Sequence, residues 1–220
     1  MNNPLLFNSI IADVTNRKIE YLVHFTDINN LPGILSNGIL SIDNLNSQNL
    51  SYTNNDDLRL DGYANSISLS VSFPNYSMLS KYRIYADNPK DMAIIFLDPS
   101  ILWTLDCAFF YTNAANGLFN HISLQTLKTY PAWQTLFDSN VRGIDRSSLN
   151  IPKEFTTDPQ AEVLCFNPIP TDKIKYILFD NPSTFQKIGR KLPNINDKYY
   201  HETEPFYFAP RSDYQSWKKS

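Results

Sequence analysis

Residues 66–73, SISLSVSF, alternate serine with isoleucine, leucine, valine and phenylalanine over eight positions. A period of two is the pleat of a β-strand, so this segment has one apolar face that must be buried and one small polar face. Other short runs read the same way. YLVHFT (21–26) is rich in aromatic and β-branched residues, and DMAIIFLDPSIL (91–102) is a continuous apolar run ended by Asp98-Pro99, as expected of a buried central strand. CAFFYT (107–112), AEVLCF (161–166) and IKYILFD (174–180) complete the set. Helical patterns lie between some of them. In DINNLPGILSNGIL, Leu31, Ile34 and Leu35 recur at helical spacing, Pro32 sits in the first turn and Gly38 is a stop signal. PNYSMLSKYR predicts a helix carrying Met78, Leu79 and Tyr82; HISLQTLKTYPAWQTLFD is helical and broken at Pro131; PSTFQKIGRKL is helical again.

The gaps between strands are hairpin-length in places and helix-length in others, which fits neither a doubly wound parallel sheet nor an all-β sandwich. The fold class is α+β. At 220 residues, with no internal repeat, the chain reads as a single domain over 1–220, its tail from 193 onward showing only weak periodicity. Residues 41–65 are rich in Asn, Asp and Ser and read as a long surface loop, a length that tends to be functional.

Charge and cysteine usage narrow the classes. The formal net charge is −3, so bulk charge gives no support to sequence-independent nucleic-acid binding, although an enzyme touching a few nucleotides need not be basic. The two cysteines, Cys107 and Cys165, lie inside apolar runs, the pattern of buried free thiols. MNNPLLFNSI lacks a basic region followed by an apolar stretch, and no run of about 18 apolar residues occurs; a cytoplasmic protein is expected. With six glycines and no phosphate-loop, dinucleotide, zincin or nucleophile-elbow motif, those chemistries find no support. Three histidines and two distant cysteines offer no metal cluster.

What remains is a carboxylate on a strand. Alternation places Glu162, Leu164 and Phe166 on one face and Ala161, Val163 and Cys165 on the other. If both faces are packed, Glu162 is a charge at the lip of a core or cleft, costly unless paired or functional; a strand-end glutamate can equally reach solvent. His24 lies inside a strand, where a histidine is more often a satisfied core or edge residue. Arg59, in DDLRLDG, has Asp56, Asp57 and Asp61 beside it for ordinary pairing.

Four segments together resemble the DarT family of DNA ADP-ribosyltransferase toxins. YLVHFTDINNLPGILSNGIL is similar to the family's NAD-binding segment, with His-x-Thr at a strand end and a short helix closed by Gly-Ile-Leu. DGYANSISLSVSFPNYSML resembles its second block, FYTNAANG its third, and QAEVLCF the strand that begins with its catalytic glutamate. The blocks run in the family's order over roughly 20–180. The serine-rich SLSVSFPN form points to the guanine-modifying branch of the family. The resemblance implies two packed, mostly antiparallel sheets that form an NAD cleft with flanking helices. It assigns Glu162 as the catalytic carboxylate and Arg59 as the catalytic or NAD-clamping arginine, with Arg83 as its competitor. His24 and Thr26 would hold the nicotinamide-side ribose and amide, Asn30 and Gly33 would lie near the phosphates or adenosine, and Phe73, Asn75 and Met78 would line the cleft. The stretch 143–160 corresponds to the loop that presents the acceptor. NAD would be a co-substrate, no metal would be required, and single-stranded DNA (or RNA) would be the partner. A toxin of a toxin-antitoxin or phage-defence system would be held in check by an antitoxin. Transfer to RNA or protein, or an inert NAD-binding module, are the alternatives.

Overall fold

The computed structural model describes residues 4–53, 62–192, 200–201 and 205–218. Its centre is set by β3 (Met92–Leu97), all six of whose side chains are buried. Because neighbouring residues of a strand point to opposite faces, Ala93, Ile95 and Leu97 enter one core cluster while Met92, Ile94 and Phe96 enter another. Each large apolar side chain buried in this way contributes roughly 1.5–3 kcal/mol, so a strand with no polar face has no stable place at an edge.

On one side β3 pairs antiparallel with β1 (Leu22–Asp27) along its whole length; on the other it pairs with β8 (Ile174–Phe179). With β2 (Ile67–Val71), β4 (Cys107–Phe110), β7 (Glu162–Cys165) and β9 (Tyr200–His201), the order across the sheet is β4-β7-β2-β1-β3-β8-β9. Only the β8–β9 pair is parallel among these. β1 and β2 are joined at just two positions, Leu22↔Val71 and Val23↔Ser70. Beyond them β1 continues with β3 and β2 with β7, so the sheet divides into two antiparallel halves that share a short seam.

Helices cover both faces. The apolar side of α1 (Pro4–Arg17) supplies Ile10 and Val14, and α7 (Tyr130–Thr135) supplies Trp133, fully buried against Phe109 and tied by its Nε1–H to Asp13 at 2.8 Å. On the opposite face α4 (Tyr76–Arg83) contributes Leu79 and Tyr82, joined by Phe208 of α9 (Pro205–Phe208). α2 (Leu31–Asn37), α3 (Ile42–Ser47), α5 (Ile101–Thr104), α6 (Leu124–Leu127), α8 (Pro182–Lys191) and α10 (Tyr214–Trp217) complete the covering elements. A separate hairpin, β5 (Asn140–Val141) and β6 (Ile144–Asp145), turns at Arg142 (φ 53°) and Gly143 (φ 82°), the pair of positive φ values a two-residue hairpin of this hand requires.

Several sequence expectations shift. The 41–65 segment is not all loop: the Ser41 hydroxyl accepts the Asn44 N–H and caps α3. Pro131 does not interrupt a helix but occupies the first turn of α7, capped by Thr129, and the break falls between α6 and α7. The N-terminal helix and the β5–β6 hairpin had no counterpart in the strand and helix patterns. Cys107 and Cys165 are buried free thiols facing each other across β4 and β7.

Candidate active site

The cleft begins where β1 and β2 part. Between His24–Thr26 on one wall and Ile67–Leu69 on the other lies a cavity of about 510 Å³, within the range of small-molecule sites. The imidazole of His24 spans the split, its Nδ1–H donating to the Ser68 carbonyl at 3.0 Å. A carbonyl can only accept, so this bond fixes the tautomer and the ring plane. Thr26, buried next in line on the same face, accepts from the Asn30 amide at 3.0 Å. Asn30 also donates to the Thr53 carbonyl (2.9 Å) and accepts from the Thr53 N–H (2.7 Å). Its amide therefore pins the 51–53 segment to β1 as a wall of the cavity.

Gly33 borders the cavity from α2; an added Cβ there would meet no atom within 4 Å. Gly38 is constrained instead. Its φ is +80° and a Cβ would stand 2.3 Å from the Ile169 carbonyl oxygen, so only glycine lets the chain turn and pair Ile39 with Ile169 at the back of the cavity.

The serine face of β2 looks into the cleft, and its apolar face (Ile67, Leu69, Val71) joins the core. After β2 the chain turns through Ser72 (φ 61°) into Asn75, whose Oδ1 accepts the Met78 N–H and caps α4. Asn75 is 3% exposed, borders the cavity, and its Nδ2 has no hydrogen-bond partner among the described residues. A buried donor left in that state costs roughly 1–3 kcal/mol, which an acceptor on a ligand would offset. Met78 and Lys81 of α4 complete this wall.

Glu162 closes the cleft from the other half-sheet. It opens β7 opposite Phe110 of β4, and its Oε2 accepts the Ala114 N–H at 2.7 Å. Both faces of β7 are packed, Ala161, Val163 and Cys165 in one cluster and Leu164 with Phe166 in another. The carboxylate thus stands half-buried at the lip of the core, held by the turn after β4, with Gln160, Asn113 and Asn116 beside it on the cavity wall.

Of the residues singled out from sequence, His24, Thr26, Asn30, Gly33, Asn75, Met78 and Glu162 all border this cavity. Phe73 does not. It is buried among the rings of Phe155, Phe206 and Tyr207, where it joins the turn after β2 to the C-terminal segment. Arg59 lies outside the described residues. Arg83 is bound to Asp180 (3.0 Å) and to the Phe208 carbonyl, away from the cavity. Sequence reading singled out none of Gln160, Asn113, Asn116 and Lys81 by residue, although the QAE and NAAN spellings and the 143–160 loop pointed toward three of them, and the 51–53 segment lay within the 41–65 loop.

The description "ssDNA thymidine ADP-ribosyltransferase, DarT" fits residues 23–209 as a family match. The chain belongs to the DarT family. Its fold is similar to a Thermosipho africanus DarTG chain in complex with ADP-ribose, at 18% identity and TM-score 0.58, over 86% of this chain and 51% of that one. The chain therefore spans about half the length of that relative. It is also similar to Thermus sp. 2.9 DarT in complex with NAD+, at 15% identity and TM-score 0.55, covering 87% of this chain and 98% of the other. The same Thermus protein in complex with ADP-ribosylated ssDNA gives 14% identity and TM-score 0.54, with 87% and 97% covered. At these identities the likeness is one of fold. No curated protein sequence matches. Among the described residues, no helix is long and apolar enough to cross a membrane.

Proposed function

We propose that this DarT-family chain consumes NAD and transfers its ADP-ribose to a base of single-stranded DNA, acting in the cytoplasm as a toxin held in check by an antitoxin. The observation that carries this reading is Glu162, presented at the lip of the split-sheet cavity by the Ala114 N–H and facing a wall that contains His24 and a buried, unsatisfied Asn75 amide. The chemistry needs those groups. Breaking the bond between nicotinamide and ribose builds positive charge on the sugar, and a carboxylate beside it stabilises that charge as it develops. Nicotinamide leaves, the base nitrogen bonds to the ribose carbon, and the proton it sheds passes to Glu162 as general base.

His24 and Thr26 hold the nicotinamide-side ribose and amide, Asn75 and Met78 line the cleft, and Asn30 and Gly33 shape the end that takes the phosphates or adenosine. Lys81 brings positive charge to the cavity, and Arg59 is assigned the clamp on the pyrophosphate by family resemblance. The acceptor must be unstacked to reach the sugar, which favours single strands over duplex.

Purified protein incubated with labelled NAD and, separately, single-stranded DNA, duplex DNA, RNA and total protein tests the reading. Label on single-stranded DNA, absent with Glu162→Ala, supports it, and mass spectrometry of the nucleosides distinguishes thymidine from deoxyguanosine. Label confined to RNA or protein would overturn the acceptor, and no transfer at all would overturn the activity.

A further inference from the structure

The segment that leads into Glu162 is held from a part of the chain to which no role has been given. Thr156, Thr157 and Asp158 are each at most 3% exposed. The carbonyls of Thr156 and Thr157 both accept from Arg211, from Nη1 and Nη2, at 2.9 Å each. Arg211 is itself buried and is gripped by Asp213, with Nε to Oδ1 at 2.6 Å and Nη2 to Oδ2 at 2.5 Å. The Trp217 indole donates to the same Asp213 carboxylate at 2.9 Å, and the Phe155 ring lies 5.6 Å from the guanidinium. Two further arginines reach the same three residues: Arg146 donates to the Thr157 hydroxyl at 3.0 Å, and Arg142 lies 3.5 Å from Asp158.

From there the constraint passes directly to the site. Asp158 Oδ1 takes the Gln160 N–H at 2.7 Å and its carbonyl takes the Ala161 N–H at 3.1 Å. Gln160 and Glu162 both border the cavity. A buried bidentate ion pair with two further N–H groups bonded to two carbonyls is a rigid bracket: guanidinium is planar, so its donors fix both carbonyls at once, which an ammonium cannot do. The family match ends at residue 209, so nothing in the resemblance assigns Arg211 or Asp213 a part.

We infer that Arg211, held by Asp213, is a positioning residue for transfer: it sets the Thr156–Asp158 segment and thereby the placement of Glu162 and Gln160 against the acceptor. The inference rests on the functional reading above. The hydrogen bonds of Arg211 and Asp213 run to Thr156, Thr157 and Trp217, whereas His24, Thr26, Asn75 and Lys81 stand on β1 and α4 or the turn before it. Residues beside the bracket meet that wall through rings, Phe155 on Phe73 and Tyr214 on Tyr76. Loss of the bracket therefore separates the two substrates, slowing transfer while leaving NAD affinity in place. A displacement of an ångström at the reacting groups is enough for about a hundredfold loss of rate.

Two variants make the test. Arg211→Lys keeps a cation for Asp213 but loses the fork. Arg211→Met with Asp213→Asn removes both buried charges and retains an acceptor for Trp217, so the bracket can be tested even if the single variant folds poorly. Single-turnover transfer from labelled NAD to single-stranded DNA, NAD affinity by titration calorimetry, and amide hydrogen exchange over 155–162 are measured on both. The expected result is transfer slowed by about ten- to a hundredfold, NAD affinity within about twofold, and faster exchange at 156–161. Transfer at the wild-type rate despite faster exchange would overturn the inference, as would parallel loss of transfer and NAD affinity. A wild-type protein that labels no single-stranded DNA would overturn the functional reading and this inference together.

Discussion

Glu162→Gln isolates charge from shape. The glutamine is isosteric, and its carbonyl can keep the 2.7 Å bond from the Ala114 N–H that sets the side chain against the turn after β4. What disappears is the negative charge. For a unit charge about 4 Å from a developing cation, at an effective dielectric of about 20 suited to a half-buried lip, the interaction is about 4 kcal/mol. At about 1.4 kcal/mol per decade, that is a loss of about three orders of magnitude in the rate of transfer. NAD affinity should change little, because the ground state carries no such charge at the ribose. The assay is single-turnover transfer with NAD affinity and thermal melting measured alongside. Glu162→Ala serves as a control that also strands the Ala114 N–H and so costs roughly a further 1–3 kcal/mol in stability. A glutamine variant within tenfold of wild type would refute the electrostatic role, whatever the alanine variant does.

Two other perturbations test the frame around it. Gly33→Ala should leave stability unchanged or raise it by up to about 1 kcal/mol, since alanine is the better helix former and its Cβ meets no protein atom. The methyl should weaken NAD binding by about 1–3 kcal/mol by intruding on the cavity; unaltered affinity in calorimetry would place the ligand elsewhere. Acid stability should depend on Asp98, whose carboxyl is opposed by partial burial but held down to about 2, from 3.8, by bonds from Lys175 and Ser100. A depressed carboxylate stabilises the fold above its unfolded value and loses that contribution as pH falls through its folded value. Urea midpoints of the wild type should therefore fall more steeply than those of Asp98→Asn between pH 4 and pH 2, and parallel curves would contradict the assignment.

Local sequence determined the strands and what each can bury. The serine alternation of 66–73 and the unbroken apolar run of 92–97 specify their faces because a strand's side-chain period does not depend on its partners. Gly38 was legible as a stop for a similar reason, although the cause of its necessity, the Ile169 carbonyl 2.3 Å from any Cβ, comes from 131 residues away. The packing of both faces of β7 settled the choice left open for Glu162, placing it at the lip of a core. Phe73 was misplaced from sequence because an aromatic at a strand end can face a cleft or a core equally well, and only the arrival of Phe155, Phe206 and Tyr207 decided which.

Tertiary structure alone decided where the sheet parts, since β1 and β2 share two residue pairs and nothing in either strand marks where they end. It alone brought Ala114 to Glu162 and Arg211 to Thr156 and Thr157, contacts that span 48, 55 and 54 residues. Periodicity reports which side of an element meets apolar surroundings. It carries no information about which distant polar group will meet it, because a hydrogen bond between remote segments depends on the path of the whole chain.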